Sequence, residues 1–142
     1  MIIRHASDAD ADAVFALVSE FATSFVPRRA AFDAAFARVA AAPDGLLLVA
    51  DDAGTVIGHV LASLHPTLFA NAPVCWVEEL MTAPNRRRQG IGRALMGAVE
   101  DWATEHGCAY VSLATRRADA FYAAIGYEAS ATFHRRLLTP GA

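Results

Sequence analysis

Lysine is absent from this chain of 142 residues, and all 12 basic side chains are arginine. Its absence removes the Gly-Lys-Ser/Thr step with which a P-loop closes on its phosphates. Together with the abundance of alanine, it points to a GC-rich coding sequence. Cysteine is almost missing too. Cys75 and Cys108 stand singly in apolar surroundings, without metal-ligand spacing or a disulfide framework, and read as buried, reduced thiols. No apolar run nears the roughly 20 residues of a membrane span, and residues 1–5 lack the apolar core of a signal peptide, so a cytoplasmic protein with no membrane partner is expected. Charged residues make up only 19% against 55% hydrophobic, which excludes disorder and favours a compact core. A single domain over residues 1–142 follows from that length. The net charge is −3, yet arginines gather at 86–88, 93, 116–117 and 135–136, a pattern that suits a small anionic ligand better than a nucleic acid.

Periodicity and punctuation divide the chain. Residues 1–4 read as a short strand, and Ser7 with Asp10 as a capping box opening a helix whose stripe is Val14, Leu17, Val18 and Phe21, limited by Pro27. An alanine-rich helix is expected over 29–41. Pro43-Asp44-Gly45 turns the chain into a buried strand at 46–50, and Asp52-Ala53-Gly54 makes a hairpin into a strand at 56–61. A loop at 65–73 leads to a strand at 74–82. Ile91, Leu95, Ala98, Val99 and Trp102 then mark a helix that stops near His106-Gly107. A strand at 109–115, a short helix at 118–124 and a last strand at 127–137 complete the order β-α-α-β-β-β-α-β-α-β. That order makes an α/β (α+β) chain with a mixed central sheet and helices on both faces.

The most informative stretch is Arg87-Arg88-Gln89-Gly90-Ile91-Gly92, between the strand at 74–82 and the helix. The first N–H groups of a helix lack intrahelical partners and the macrodipole favours an anion there, while glycines keep β-carbons away from it. The dinucleotide fingerprint fails, because position 95 is Leu where a third glycine is required. Taken alone, the residues fit an ordinary helix start as well as a phosphate site. Arg-x-x-Gly-x-Gly after a strand resembles the acetyl-CoA pyrophosphate motif of the GNAT superfamily of N-acetyltransferases. The resemblance covers nearly the whole chain. It includes Ile3-Arg4, Gly58, Glu78-Glu79-Leu80-Met81-Thr82-Ala83-Pro84, and Ala118-Asp119-Ala120-Phe121-Tyr122 running on to Gly126-Tyr127, which looks like the family's second acyl-CoA motif.

The resemblance implies an enzyme that moves an acetyl group from acetyl-CoA to a primary amine of a small molecule, by direct transfer in a ternary complex, the alternatives being a non-catalytic acyl-CoA-binding or sensor module and a protein or peptide N-acetyltransferase. It implies pyrophosphate binding by the amides of Arg87, Arg88, Gln89, Gly90, Ile91 and Gly92, with Arg88 and Arg93 flanking the phosphates. It implies a pantetheine arm along Leu80, Met81 and Thr82, an amide of Leu80 or Met81 on the thioester carbonyl, and Tyr122 as proton donor to the thiolate. Tyr122 could instead only pack with Phe121 under the sheet. Thr115 stands where many members carry a pantetheine-contacting Asn. For the general base, strand alternation puts Glu78 and Glu79 on opposite faces unless a bulge intervenes; Glu78 is the first choice and Glu79 the second, one of them pairing with an arginine. His59, His65 and His134 read as structural. Acceptor-lining groups are expected from residues 23–30 and 65–73, with Phe25, His65 and Phe69 as an aromatic wall and Glu20 on an acidic rim. No metal is expected. Homodimerisation through residues 128–137 follows from family analogy alone.

Overall fold

The computed structural model describes residues 1–22 and 24–139. Five strands form one sheet in the order β1-β2-β3-β4-β5: β1 (Ile2–His5), β2 (Gly45–Asp52), β3 (Thr55–His65), β4 (Val74–Thr82) and β5 (Val111–Leu113). The first four are antiparallel to their neighbours, and β5 joins β4 in parallel. Four helices flank the sheet: α1 (Ala11–Phe21), α2 (Arg29–Ala41), α3 (Ile91–Glu105) and α4 (Asp119–Ala124).

Alternation along β2 divides the core into two layers. Leu46, Leu48 and Ala50 pack with Ile91, Leu95 and Val99 of α3, while Leu47 and Val49 pack with Val14 of α1 and Phe36 of α2. Each helix therefore covers its face for a legible reason: an apolar stripe at helical spacing meets the apolar side of a pleated strand. Gly58 is required at the α3 face, since a β-carbon there would lie 2.9 Å from the Met81 carbonyl oxygen and 3.1 Å from Ile91 Cγ2.

The start of the chain is tied down electrostatically. The backbone N–H of Ser7 donates to Asp10 Oδ2 at 2.7 Å, as a capping box requires, but the carboxylate does more than cap. It also accepts both terminal nitrogens of Arg4, at 2.8 and 2.9 Å, and Arg4 Nε reaches Asp51 Oδ2 at 3.0 Å. Asp10 is consequently buried, and its carboxyl is held down at about 2, chiefly by the Arg4 hydrogen bonds.

The helix at 29–41 and the strand at 74–82 form over those spans. β3 runs four residues further than the 61 expected, to His65, and β5 is only three residues long. The strand expected over 127–137 does not form. Tyr127 is drawn instead onto α3, its hydroxyl donating to Glu100 Oε2 at 2.7 Å, and the short β5 leaves no ladder for a sixth strand to join. Residues 128–137 are exposed and irregular, with Phe133 stacked on Trp76 at 6.2 Å and Arg135 donating to Ser24 Oγ at 3.0 Å. Among the described residues, no helix is long and apolar enough to cross a membrane.

Candidate active site

The turn into α3 has the backbone an anion site needs. Arg88 and Gly90 both have positive φ, 64° and 79°, so the chain coils tightly before the helix. The first helical bond runs from Ala94 N to Gly90 O at 3.0 Å, which leaves the amides of Ile91, Gly92 and Arg93 without an intrahelical acceptor. A β-carbon built at Gly90 would meet nothing within 4 Å, so the space beside Gly90 itself is open. Gly92 is small for a different reason than ligand approach: its β-carbon would sit 3.2 Å from Phe121 Cζ, where α4 packs on the helix start. The neighbouring arginines divide their work. Arg86 pairs with Asp52 at 2.6 Å and the Arg87 guanidinium lies 4.7 Å over the Phe21 ring, whereas Arg88, Gln89 and Arg93 are exposed at the helix start. These donors fit the pyrophosphate of acetyl-CoA.

Along β4 the sheet opens. Its parallel pairing with β5 is confined to Cys75, Trp76 and Val77 against Val111, Ser112 and Leu113. Residues 79–82 stay paired to β3, from Leu61 opposite Glu79 to Gly58 opposite Thr82, but have no strand partner on the other edge among the described residues. That edge offers backbone groups of Leu80 and Thr82 to an extended chain in the manner of an added strand, whereas the expected Met81 is turned inward, its backbone paired with His59 of β3.

At the point of opening, the β3–β4 register slips: Ala62 faces Val77, Leu61 faces Glu79, and Glu78 is the extra residue. This bulge overrides simple alternation. Glu78 is exposed and accepts a hydrogen bond from Trp76 Nε1, while Glu79 turns toward α1 and α2 and lies 3.2 Å from His59 Nε2. Among the described residues, neither carboxylate is ion-paired to an arginine. His59 is 1% exposed, and its Nδ1 has no hydrogen-bond partner. Reading lone strand histidines as structural therefore missed a pair 20 positions apart. The available signal was chemical: a polar ring inside an apolar strand needs a buried partner.

On the opposite, α3 face, Tyr122 is half-buried, edge-on to Phe121 at 4.9 Å and to Tyr127 at 5.9 Å. Burial pushes its phenol above the ordinary tyrosine value, so it holds its proton. Thr115 uses its hydroxyl oxygen to accept the Ala118 N–H at 3.1 Å, turning the chain into α4.

Between α1, α2 and the sheet lies a cavity of about 230 Å³ whose sheet-side wall includes His59, Leu61 and Glu79. Pro27 and Arg28, from the expected 23–30 link, line it; Thr23 of that link lies outside the described residues. The aromatic wall does not assemble. Phe25 is 44% exposed and Phe69 76% exposed, His65 points to Ser63 Oγ at 3.3 Å, and none of the three lines the cavity. The 65–73 loop is held on itself, Thr67 Oγ1 donating to Ala72 O at 2.8 Å and accepting Ala70 N–H at 3.2 Å, which leaves Phe69 outside. Glu20 is likewise exposed away from the cavity.

An open sheet edge runs into a helix start whose first amides have no intrahelical acceptor. The model of the acetyltransferase (GNAT) family matches residues 11–127, and the chain belongs to that family. It is 30% identical over 132 residues to an aminoalkylphosphonate N-acetyltransferase of Salmonella typhimurium, covering 90% of this chain and 85% of that protein. Two solved structures share the fold: a transcriptional regulator from Bacillus halodurans, at 22% identity and TM-score 0.87 over 96% of this chain and 99% of the other, and glucosamine-6-phosphate N-acetyltransferase from Arabidopsis thaliana, at 15% identity and TM-score 0.86 over 97% and 98%. The protein is thus an N-acetyltransferase that uses acetyl-CoA as its acetyl donor.

Proposed function

We propose that the acceptor is a primary amine of a small molecule, acetylated directly in a ternary complex, with Glu79 as general base and Tyr122 as general acid. One observation carries this reading: Glu79, two residues past the last β4–β5 pair, lines the α1–α2 side of the sheet, while Tyr122 packs on the α3 side. The thioester supplies an activated acetyl group. The chain's own groups then have separate tasks. Backbone N–H groups of β4, fixed before reaction, donate to the oxygen on which charge develops. The carboxylate of Glu79 takes the proton an amine must lose, since alkylammonium groups titrate near 10 and are mostly charged at neutral pH. Tyr122 gives its proton to the departing sulfur, whose own proton affinity is close to that of a phenol.

Direct transfer is favoured because the thiols near the site are poor nucleophiles. Cys75 is fully buried, and burial pushes its thiol up to about 11, so little thiolate exists near neutral pH. The Salmonella relative's name places an amine on a small anionic molecule, which supports small acceptors without fixing this one.

Initial velocities measured over a grid of acetyl-CoA and amine concentrations test the reading. Intersecting double-reciprocal lines are expected. Parallel lines, or a trapped acetyl-enzyme after acetyl-CoA alone, would overturn direct transfer.

A further inference from the structure

The cavity beside Glu79 says more about the acceptor than its size. Of the side chains that line it, three are polar: Arg28, His59 and Glu79. Arg28 is exposed, at the residue before α2, so it belongs to the mouth; His59 and Glu79 sit together on the sheet. The remainder of the wall is hydrocarbon, including Phe32, Phe36, Leu47 and Leu61. A polyhydroxylated or multiply charged body placed there would give up its water against side chains that return no hydrogen bonds. A hydrocarbon body loses nothing comparable and gains the burial.

Size points the same way. An apolar protein cavity of roughly 150 Å³ already takes up a benzene ring. At about 230 Å³, this one has room for a ring or branched chain with a short arm. The polar end is marked as well. His59 Nε2 meets only one oxygen of Glu79, which leaves the carboxylate further lone pairs to accept the N–H donors an arriving amine brings.

We infer that the acceptor is a monoamine with an uncharged apolar body, arylalkyl or medium-length alkyl, whose body fills the cavity between α1 and α2 and whose amino group lies at Glu79 and His59. This rests on the small-amine reading above and narrows it. The same cavity works against aminoalkylphosphonates, because its one cation, Arg28, is at the mouth and not at the apolar end.

The test is a panel assayed with acetyl-CoA: ethylamine, butylamine, hexylamine, phenethylamine, 2-aminoethylphosphonate and an aminoglycoside, on the wild type and on Ala35→Phe and Ala35→Leu, which narrow the cavity from α2. For the wild type, kcat/KM is expected to rise about fourfold per added methylene until the cavity is full, with phenethylamine well above the phosphonate and the aminoglycoside. Both variants should flatten that slope while acetyl-CoA still raises the Tm as in the wild type, which shows a folded cofactor site. A flat or falling slope, or preference for the phosphonate or aminoglycoside, overturns this inference and leaves small-amine acetylation standing. Acetylation of none of the amines, with the acetyl-CoA shift intact, overturns both. Variants that gain thermal stability and keep the wild-type slope identify a packing void and overturn the inference alone.

Discussion

Glu79 Oε1 lies 3.2 Å from Nε2 of His59, a ring that is 1% exposed, and the two side chains share one wall of the α1–α2 cavity. Their meeting depends on a single extra residue in β4. Without the slip at Glu78, Glu79 would project toward the α3 core and Glu78 would take its place.

The two carboxylates are therefore expected to behave differently. Glu79→Gln should lower kcat about 10²-fold or more near neutral pH, within the range typical of a lost general base, with the defect shrinking as alkaline pH deprotonates the amine. Glu78→Gln, which loses only an exposed hydrogen bond to Trp76, should stay within about threefold of the wild type. Steady-state rates from pH 6 to 10 compare them; equal defects in both variants would contradict the assignment.

Tyr122→Phe keeps the ring packed on Phe121 and Tyr127 and removes the proton. A fall in kcat on the order of 10²-fold is expected, with KM for acetyl-CoA little changed. Because burial raises the phenol, the wild type should hold its rate to a pH above the ordinary tyrosine value of about 10 before activity falls. Loss of activity below pH 9, or no effect of the substitution, counts against the proton-donor role.

Arg4, Asp10 and Asp51 give a pH signature in stability rather than rate. The folded Asp10 carboxyl is depressed to about 2, so its contribution is complete above the unfolded value near 4 and is lost as pH falls through 2. The amount is on the order of 2 kcal/mol. Thermal unfolding of Asp10→Asn between pH 7 and 2 should show a lower Tm at neutral pH and a shallower fall toward acid than the wild type. Parallel curves would contradict this.

Gly58→Ala tests the sheet–helix contact. The new β-carbon would press on the Met81 carbonyl oxygen at 2.9 Å as well as on Ile91 and Leu95, so a loss of roughly 1–3 kcal/mol is expected by chemical denaturation. A variant as stable as the parent would mean that β3 and α3 part more easily than their packing suggests.

The elements that local chemistry dictates were legible in the sequence. Prolines at 27, 43, 73 and 84 bracket α2 and β4, and both run over the spans their residues predict. The helix start at Gly90 and the aromatic pair at 121–122 were readable for the same reason, since each motif is short and its residues act together. What escaped depends on partners distant in sequence. The bulge at Glu78 exists only relative to β3, the His59–Glu79 pair only once those strands align, and the missing last strand reflects β5 stopping at Leu113 while Tyr127 anchors to Glu100. The aromatic wall failed because residues 65–73 satisfy their own backbone through Thr67, which no hydrophobic pattern reveals.

A crystal structure with coenzyme A and an amine inhibitor measures the arrangement most directly. The pyrophosphate is expected on the amides of Ile91, Gly92 and Arg93, the pantetheine arm along the open edge of Leu80–Thr82, the sulfur within reach of the Tyr122 hydroxyl, and the amine at Glu79 on the far face. Coenzyme A lying away from the α3 start, or an amine bound at Glu78 with the α1–α2 cavity empty, would contradict it.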